Sequence, residues 1–269
     1  MSGKLVPKDP AKVMVIRQVV PNVITTFSVP FLRFGRIKIG GRGTVVRLQS
    51  GALAVFSPVA LTDEVKATVA SLGEVKYIAA LDIEHHIFLG PWHAAYPNAK
   101  VLGPEGLLEK RTKQKNEDVP FSVVFTANKP TTVDSEFDSE FEYEFVAAHT
   151  NKEIVFNHKP TKTMIEADYI FNLPANEQYS KAGGHASDGI LTKLFKAVNS
   201  TQGAAMGQRR FIWYAISSGD RKGYAASTAK INEWDFERII PCHGDVIESG
   251  GKGIFQKIMA WHLESSKSK

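Results

Sequence analysis

Histidine and carboxylate side chains stand at the ends of four separate apolar runs in this chain. "YIAALDIEHH" closes on Asp82, Glu84, His85 and His86, "EFVAAHT" carries His149, "TMIEAD" ends in Asp168, and "RIIPCHGD" carries His243. Imidazole nitrogen and carboxylate oxygen are the donors that zinc, iron and manganese share. If the four runs are strands ending at one edge, they bring these side chains together around a divalent cation, and active sites commonly occupy such strand ends. The chain has a single cysteine, Cys242, which excludes an internal disulfide and a multi-cysteine zinc site and suits a reducing compartment. Cys242 adjoins His243, but neighbours on a strand face opposite ways. It reads as a small buried residue, not a nucleophile.

The elements that must position these residues follow from hydrophobic periodicity. "VMVIRQVV", "VITTFSV" and "GTVVRLQSGALAVFSP" are β-branched runs broken at Pro21–Asn22 and Ser50–Gly51, an opening meander of strands. "LTDEVKATVASLG" places Val65, Val69 and Leu72 on one helical face, with Thr62 as N-cap and Gly73 as stop. A strand "KYIAAL", a helix through Trp92, a strand "AKVLGP" and a helix from near Pro104 follow. Residues 133–147, "VDSEFDSEFEYEFVA", alternate aromatic and acidic residues, which predicts a half-buried strand or hairpin with a solvated acid row. Residues 174–188 read as a loop. "GILTKLFKAVN" reads as a helix with Ile190, Leu191, Leu194 and Phe195 turned inward, and strand "ERIIPCHGD" and helix "GIFQKIMAWHLE" close the chain. The pattern is that of an α+β sheet protein covered by helices, a single domain over 1–269 with residues 1–12 as a flexible leader.

The net charge of +5 comes from scattered basic residues, with no Lys/Arg block interleaved with aromatics, so nucleic acid is not the expected partner. No window reaches the roughly 18 apolar residues of a membrane span, and the polar start "MSGKLVPKDPAK" lacks the apolar core of a signal peptide. The expectation is a cytoplasmic protein with a small-molecule substrate and no membrane partner, its oligomeric state open.

In the order His loop, His, Asp, His, the chain resembles the metallo-β-lactamase superfamily over nearly its whole length. The "HT" pair at His149, followed 19 residues later by Asp168, is the more specific part of the likeness. It is closest to a branch catalogued as a domain of unknown function, in which an "HH" pair stands in the metal loop. The resemblance implies a four-layer αββα sandwich and hydrolysis of a lactone, thioester, ester or phosphodiester with metal-activated water. The family's loop, H-x-H-x-D-H, is altered here. In the preferred register, in which "HHIFLG" overlies the family's "DHIGG" helix start, Leu81 and Ile83 replace its first two histidines and His85 and His86 take the last two positions. Shifted by one, Ala80, Asp82, Glu84 and His85 occupy the four.

The preferred register implies one metal, zinc first, with iron or manganese as alternatives. Its ligands are His86, Asp168 and His243, with His85 in place of an Asp and His149 nearby as a fifth ligand or a base. Asp168 and His149 are the catalytic residues implied, Asp168 holding the water or hydroxide and His149 shuttling its proton. Asp82 and Glu84 either orient ligand imidazoles or stand as loop acids. His185, in "AGGHASD", is a candidate pocket residue, and His93, His158 and His262 are structural or exposed. Two other readings stay open: a mononuclear iron redox enzyme, and a degenerate protein that binds metal or ligand without catalysis.

Overall fold

The structure, a computed structural model, describes residues 6–127 and 130–267. Of the leader expected over 1–12, residues 1–5 lie outside the described residues, and helix α1 (Pro10–Val13) forms one turn with Pro10 at its start. Strands β1 (Val15–Val20), β2 (Ile24–Val29), β3 (Leu32–Arg33), β4 (Ile37–Lys38), β5 (Gly41–Arg47) and β6 (Ala52–Phe56) come next. They are followed by β7 (Glu74–Ala79), β8 (Lys100–Pro104) and β9 (Val123–Phe125), which run parallel to β6 in a seven-stranded sheet of order β1-β2-β5-β6-β7-β8-β9. The β3–β4 pair is a separate hairpin. A second sheet contains β10 (Phe141–Val146), β11 (Glu153–His158), β12 (Thr163–Glu166) and β13 (Arg238–Pro241) in that order.

Period-two alternation builds the layers. Ala54 and Phe56 of β6 point between the sheets, with Ile154 and Phe156 of β11, Ile165 of β12 and Ile240 of β13. The intervening Leu53 and Val55 point the other way, onto α2 (Asp63–Leu72), α3 (Leu89–Ala95) and α4 (Leu107–Lys113). On the far side, Val155, Met164 and Ile239 pack beneath later helices. Those are α9 (Arg221–Ile231) and α10 (Gly251–Ile258); α5 (Ser135–Glu140), α6 (Asn176–Tyr179), α7 (Ile190–Val198) and α8 (Met206–Phe211) precede them, and α11 (Ala260–Lys267) follows. The result is the expected αββα sandwich. Among the described residues no helix is long and apolar enough to cross a membrane.

Two segments differ from the expectation. Residues 135–140 are helical, because the Asp134 side chain caps the segment by accepting the Phe137 N–H at 3.0 Å, and Phe137 stacks on Phe141 four residues on at 4.4 Å. Glu140 is consequently not solvated but buried, accepting the Gln49 N–H at 2.8 Å. Helix α7 forms as expected, and Phe195 turns inward against Phe171 and Phe211, but Ile190, Leu191 and Leu194 are exposed and Thr192 is the buried residue.

His262 on α11 illustrates a buried histidine held neutral by its surroundings. Its ring lies 4.8 Å from Trp213 and 4.7 Å from Tyr224, and Nε2 donates to Ser217 Oγ at 2.9 Å. Burial, and then the charge of Arg221, hold its pKa down at about 4. Below the ordinary value of 6.5 the unfolded chain gains a proton that the folded chain refuses, so stability falls as pH drops from 6.5 toward 4 and is unaffected above it. This one group is expected to shift the unfolding equilibrium roughly fivefold to tenfold between about pH 6 and 5. Urea midpoints at the two pH values check it: His262→Phe should remove that share of the slope, and an unchanged slope would refute the assignment.

Candidate metal centre

Strands β12 and β13 are parallel, and β10 lies parallel to β12 across the intervening antiparallel β11, so the C-terminal ends of all three meet at one edge. His149, Asp168 and His243 lie just past those ends. The loop after β7 of the other sheet is tied over the same edge, with Ile83 N–H donating to Asn151 O at 3.0 Å and Ile154 N–H to Leu81 O at 2.7 Å. After His243 the backbone turns at Gly244, with φ +95°, where a Cβ would come within 2.1 Å of Asn172 O. Only glycine fits that turn.

This edge brings together His85, Asp168 and His243, one ligand atom of each lying within 4.8 Å of the others. His85 Nε2 is 3.1 Å from His243 Nε2, which is 3.2 Å from Asp168 Oδ1. The protons of both rings are accounted for elsewhere. His85 Nδ1 donates to Asp82 Oδ1 at 2.9 Å and His243 Nδ1 to Gly40 O at 2.7 Å, since carboxylate and carbonyl oxygens only accept. Two imidazole lone pairs and a carboxylate oxygen therefore face one another. They repel unless a cation, a proton or a metal ion, sits among them.

The electrostatics agree. Burial works against charge on His85, but the Asp82 and Asp168 carboxylates outweigh it and raise its pKa to about 9. Asp168 is held well below the ordinary carboxylate range despite burial, by its contact with His243 and the nearby His85 and His149 rings. The ring of His243 is fixed by Phe171, stacked at 5.4 Å with the planes 10° apart.

The remaining candidates divide. Asp82 is fully buried and, besides His85, its Oδ1 accepts the N–H groups of Glu84 and His85 at 2.7 Å each, which shapes the loop. Glu84 lines the cleft and pairs with Lys110. The structure does not bring His86 into the three-residue group: its Nδ1 lies 3.3 Å from Arg111 Nη1, which also donates to His86 O at 3.1 Å. Burial and the positive charges of Arg111 and Lys110 lower the His86 pKa to about 4. His149 lies beside the group with both nitrogens engaged, Nδ1 accepting the Asn151 N–H at 3.1 Å and Nε2 facing Asp168 O at 3.4 Å. His185 is exposed on its loop and is not part of the group. Cys242 is buried, and burial pushes its thiol pKa up, as befits an inert core residue.

Three residues at the site escape a reading of the sequence. Asn151 Nδ2 donates to Asp168 Oδ2 at 2.7 Å. Buried Glu153 accepts the backbone N–H groups of Ala167 at 2.6 Å and Asp168 at 3.1 Å. Arg42, fully buried, donates to Pro241 O at 2.6 Å and Gly244 O at 2.7 Å, on either side of His243. For the first two a signal existed, since "HTNKE" places polar residues directly after His149; a lone arginine opening an apolar strand gives none. A cleft of about 490 Å³ opens beside the group, with His85, His86 and His243 in its wall and Phe31, Ile87 and Phe88 among its apolar lining.

Solved structures similar to this one include metallo-β-lactamases. The enzyme from Pontibacter korlensis is 10% identical with a TM-score of 0.57 over 93% of this chain and 98% of its own. FIM-1 from Pseudomonas aeruginosa, in its mono-zinc form, is 9% identical with a TM-score of 0.56 over 94% and 96%. DIM-1 exposed to ceftazidime is 13% identical with a TM-score of 0.54 over 97% and 99%. The fold is thus the metallo-β-lactamase fold. The chain belongs to the family described as domain of unknown function DUF4336, which matches residues 32–182. No curated protein matches the chain.

Proposed function

We propose that this protein is a metal-dependent hydrolase with a single divalent ion, zinc first, held by His85, Asp168 and His243. The observation that carries this reading is the convergence of a carboxylate oxygen with two imidazole nitrogens whose rings have their Nδ1 protons already committed to Asp82 and Gly40. A cluster of this kind is a ligand set with its orienting partners in place. That FIM-1 was solved in a mono-zinc form supports one metal as a state the fold accommodates. A divalent ion there would lower the pKa of water from about 15.7 towards 7 and polarise a carbonyl or phosphoryl oxygen.

The chain's own groups supply the rest. Asp168, its Oδ2 fixed by Asn151, turns Oδ1 toward the group, where it would help to hold the ion and orient the attacking water; held well below the ordinary carboxylate range, it does not take up the water's proton. His149, with both nitrogens committed, holds the Asp168 backbone and is not free to shuttle that proton. His86 accepts from Arg111 at Nδ1, which leaves Nε2–H as a donor for a substrate oxygen in the cleft. Arg33 lines the same cleft with no ion pair among the described residues, its guanidinium 5.0 Å from the centre of the Phe34 ring. An apolar small molecule bearing an anionic group fits such a lining. The participation of His85 and not His86 favours the register that places Ala80, Asp82, Glu84 and His85 on the four loop positions.

Metal quantification on protein expressed without added metal, followed by a screen of lactones, thioesters, esters and phosphodiesters, tests the proposal. One equivalent per chain and hydrolysis abolished by chelation are expected. Two equivalents would overturn the single-metal reading, and full occupancy without turnover the hydrolase reading. The adjacent histidines should separate in the same assay. His86→Asn is expected to keep about one equivalent while His85→Asn loses most of it, since removal of a ligand costs far more than loss of a neighbour. The reverse result would restore His86 as the ligand.

A further inference from the structure

Helix α7 carries its aliphatic side chains outward. Ile190, Leu191, Leu194 and Val198 are 78%, 47%, 61% and 39% exposed, and with exposed Ala197 they fall within an arc of about 120° around the helix. The opposite side is anchored. Buried Thr192 accepts the Lys38 N–H at 3.1 Å, and Phe195 packs edge-on against Phe171 and Phe211 at 5.9 and 6.0 Å. The helix therefore cannot roll its stripe inward, and a continuous aliphatic stripe held in water marks a contact surface.

The charge around the stripe has one sign. Between Asp188 and Asp220 the chain contains no Asp or Glu but carries Lys193, Lys196, Arg209 and Arg210. Asp188 itself pairs with Lys38 at 3.2 Å. Lys193 borders the stripe. Arg210 and Tyr214, the latter 65% exposed with Arg221 over its ring at 5.8 Å, follow one and two turns after Gly207, which abuts the Val198 backbone at the C-terminal end of α7. Neither Lys193 nor Arg210 has an ion-pair partner among the described residues.

We propose that α7 and the turn after it form a docking surface for an anionic lipid bilayer, with the helix lying in the plane of the interface. An aliphatic face rimmed by lysine, arginine and tyrosine matches that environment: the apolar side chains enter the acyl boundary while the cations meet the headgroups. A second copy of the chain fits less well, because a two-fold contact would bring two rims of the same positive charge together. The absence of a spanning segment, on which the expectation of no membrane partner rested, does not bear on a helix that lies flat.

Co-sedimentation of the full chain with phosphatidylcholine vesicles, with and without phosphatidylglycerol, tests this independently of hydrolysis. Binding to the anionic vesicles alone is expected. Leu194→Glu should weaken it at least about tenfold, as should Lys193→Glu combined with Arg210→Glu, both variants keeping the wild-type circular dichroism spectrum. Failure of the wild-type protein to bind, binding unchanged in both variants, or a dimer that Leu194→Glu dissociates without any vesicle binding would each overturn the proposal.

Discussion

Asp168→Asn is expected to lower kcat by about a thousandfold at saturating metal, the largest effect of any single isosteric change in the chain. Asp168 supplies the only carboxylate of the converging group, and its Oδ1 faces the shared position. Replacing the anionic oxygen by an amide weakens the hold on the ion and the placement of the water it would activate, an effect of several kcal/mol, at about 1.4 kcal/mol per tenfold in rate. The fold should survive. The loop carrying Asp168 is held by its backbone, through the two N–H bonds to Glu153, and these do not involve the side chain that changes. Steady-state kinetics at several metal concentrations, with a melting curve alongside, check the expectation. A variant within a few-fold of wild type would remove Asp168 from the chemistry.

Asp82→Asn is the second. Asp82 touches no substrate and stands behind His85, where its carboxylate fixes the tautomer and the direction of the ring. The loss of such a partner typically weakens metal affinity about 10-fold to 100-fold. The amide keeps the shape of Asp82 and an oxygen for the Glu84 and His85 N–H groups, so the loop is preserved. The proton introduces a sign to follow. Asp82 helps raise the His85 pKa to about 9, so below that pH metal and proton compete for the same nitrogen, and the substitution weakens both. The drop in affinity should therefore be partly masked near neutrality and fully visible above about pH 9. Chelator competition at the two pH values reads it, and equal affinity in both proteins throughout would show Asp82 to be a loop acid only.

The layered fold was legible because alternation is a local property. Leu53–Phe56 can point only to alternate sides, whatever the sheet later packs against. The order of ligand-type residues was legible for a similar reason, since each stands at the end of an apolar run. Which of two adjacent histidines turns inward was not, because Arg111 draws His86 aside from 25 residues away. Helix α7 shows the same limit. Its periodicity reveals that an apolar stripe exists, but the inner face is chosen by Thr192 and Phe195 finding partners on β4 and at Phe171. In residues 133–147 the aromatics Phe137, Phe141 and Phe145 recur every four positions, a spacing that a strand and a helix both satisfy. The Asp134 cap decides for helix over the first half.

The converging group takes His85 from the loop of one sheet and Asp168 and His243 from the edge of the other. A cation shared by the three would act as a clasp across the seam of the sandwich, joining two halves otherwise held by side-chain packing, the buried Arg42 and a few loop bonds. Occupancy would then be written into the breathing of the molecule. Amide exchange at Ile83 and Ile154, whose N–H groups bridge the seam, would slow when the clasp is closed and quicken when it is opened.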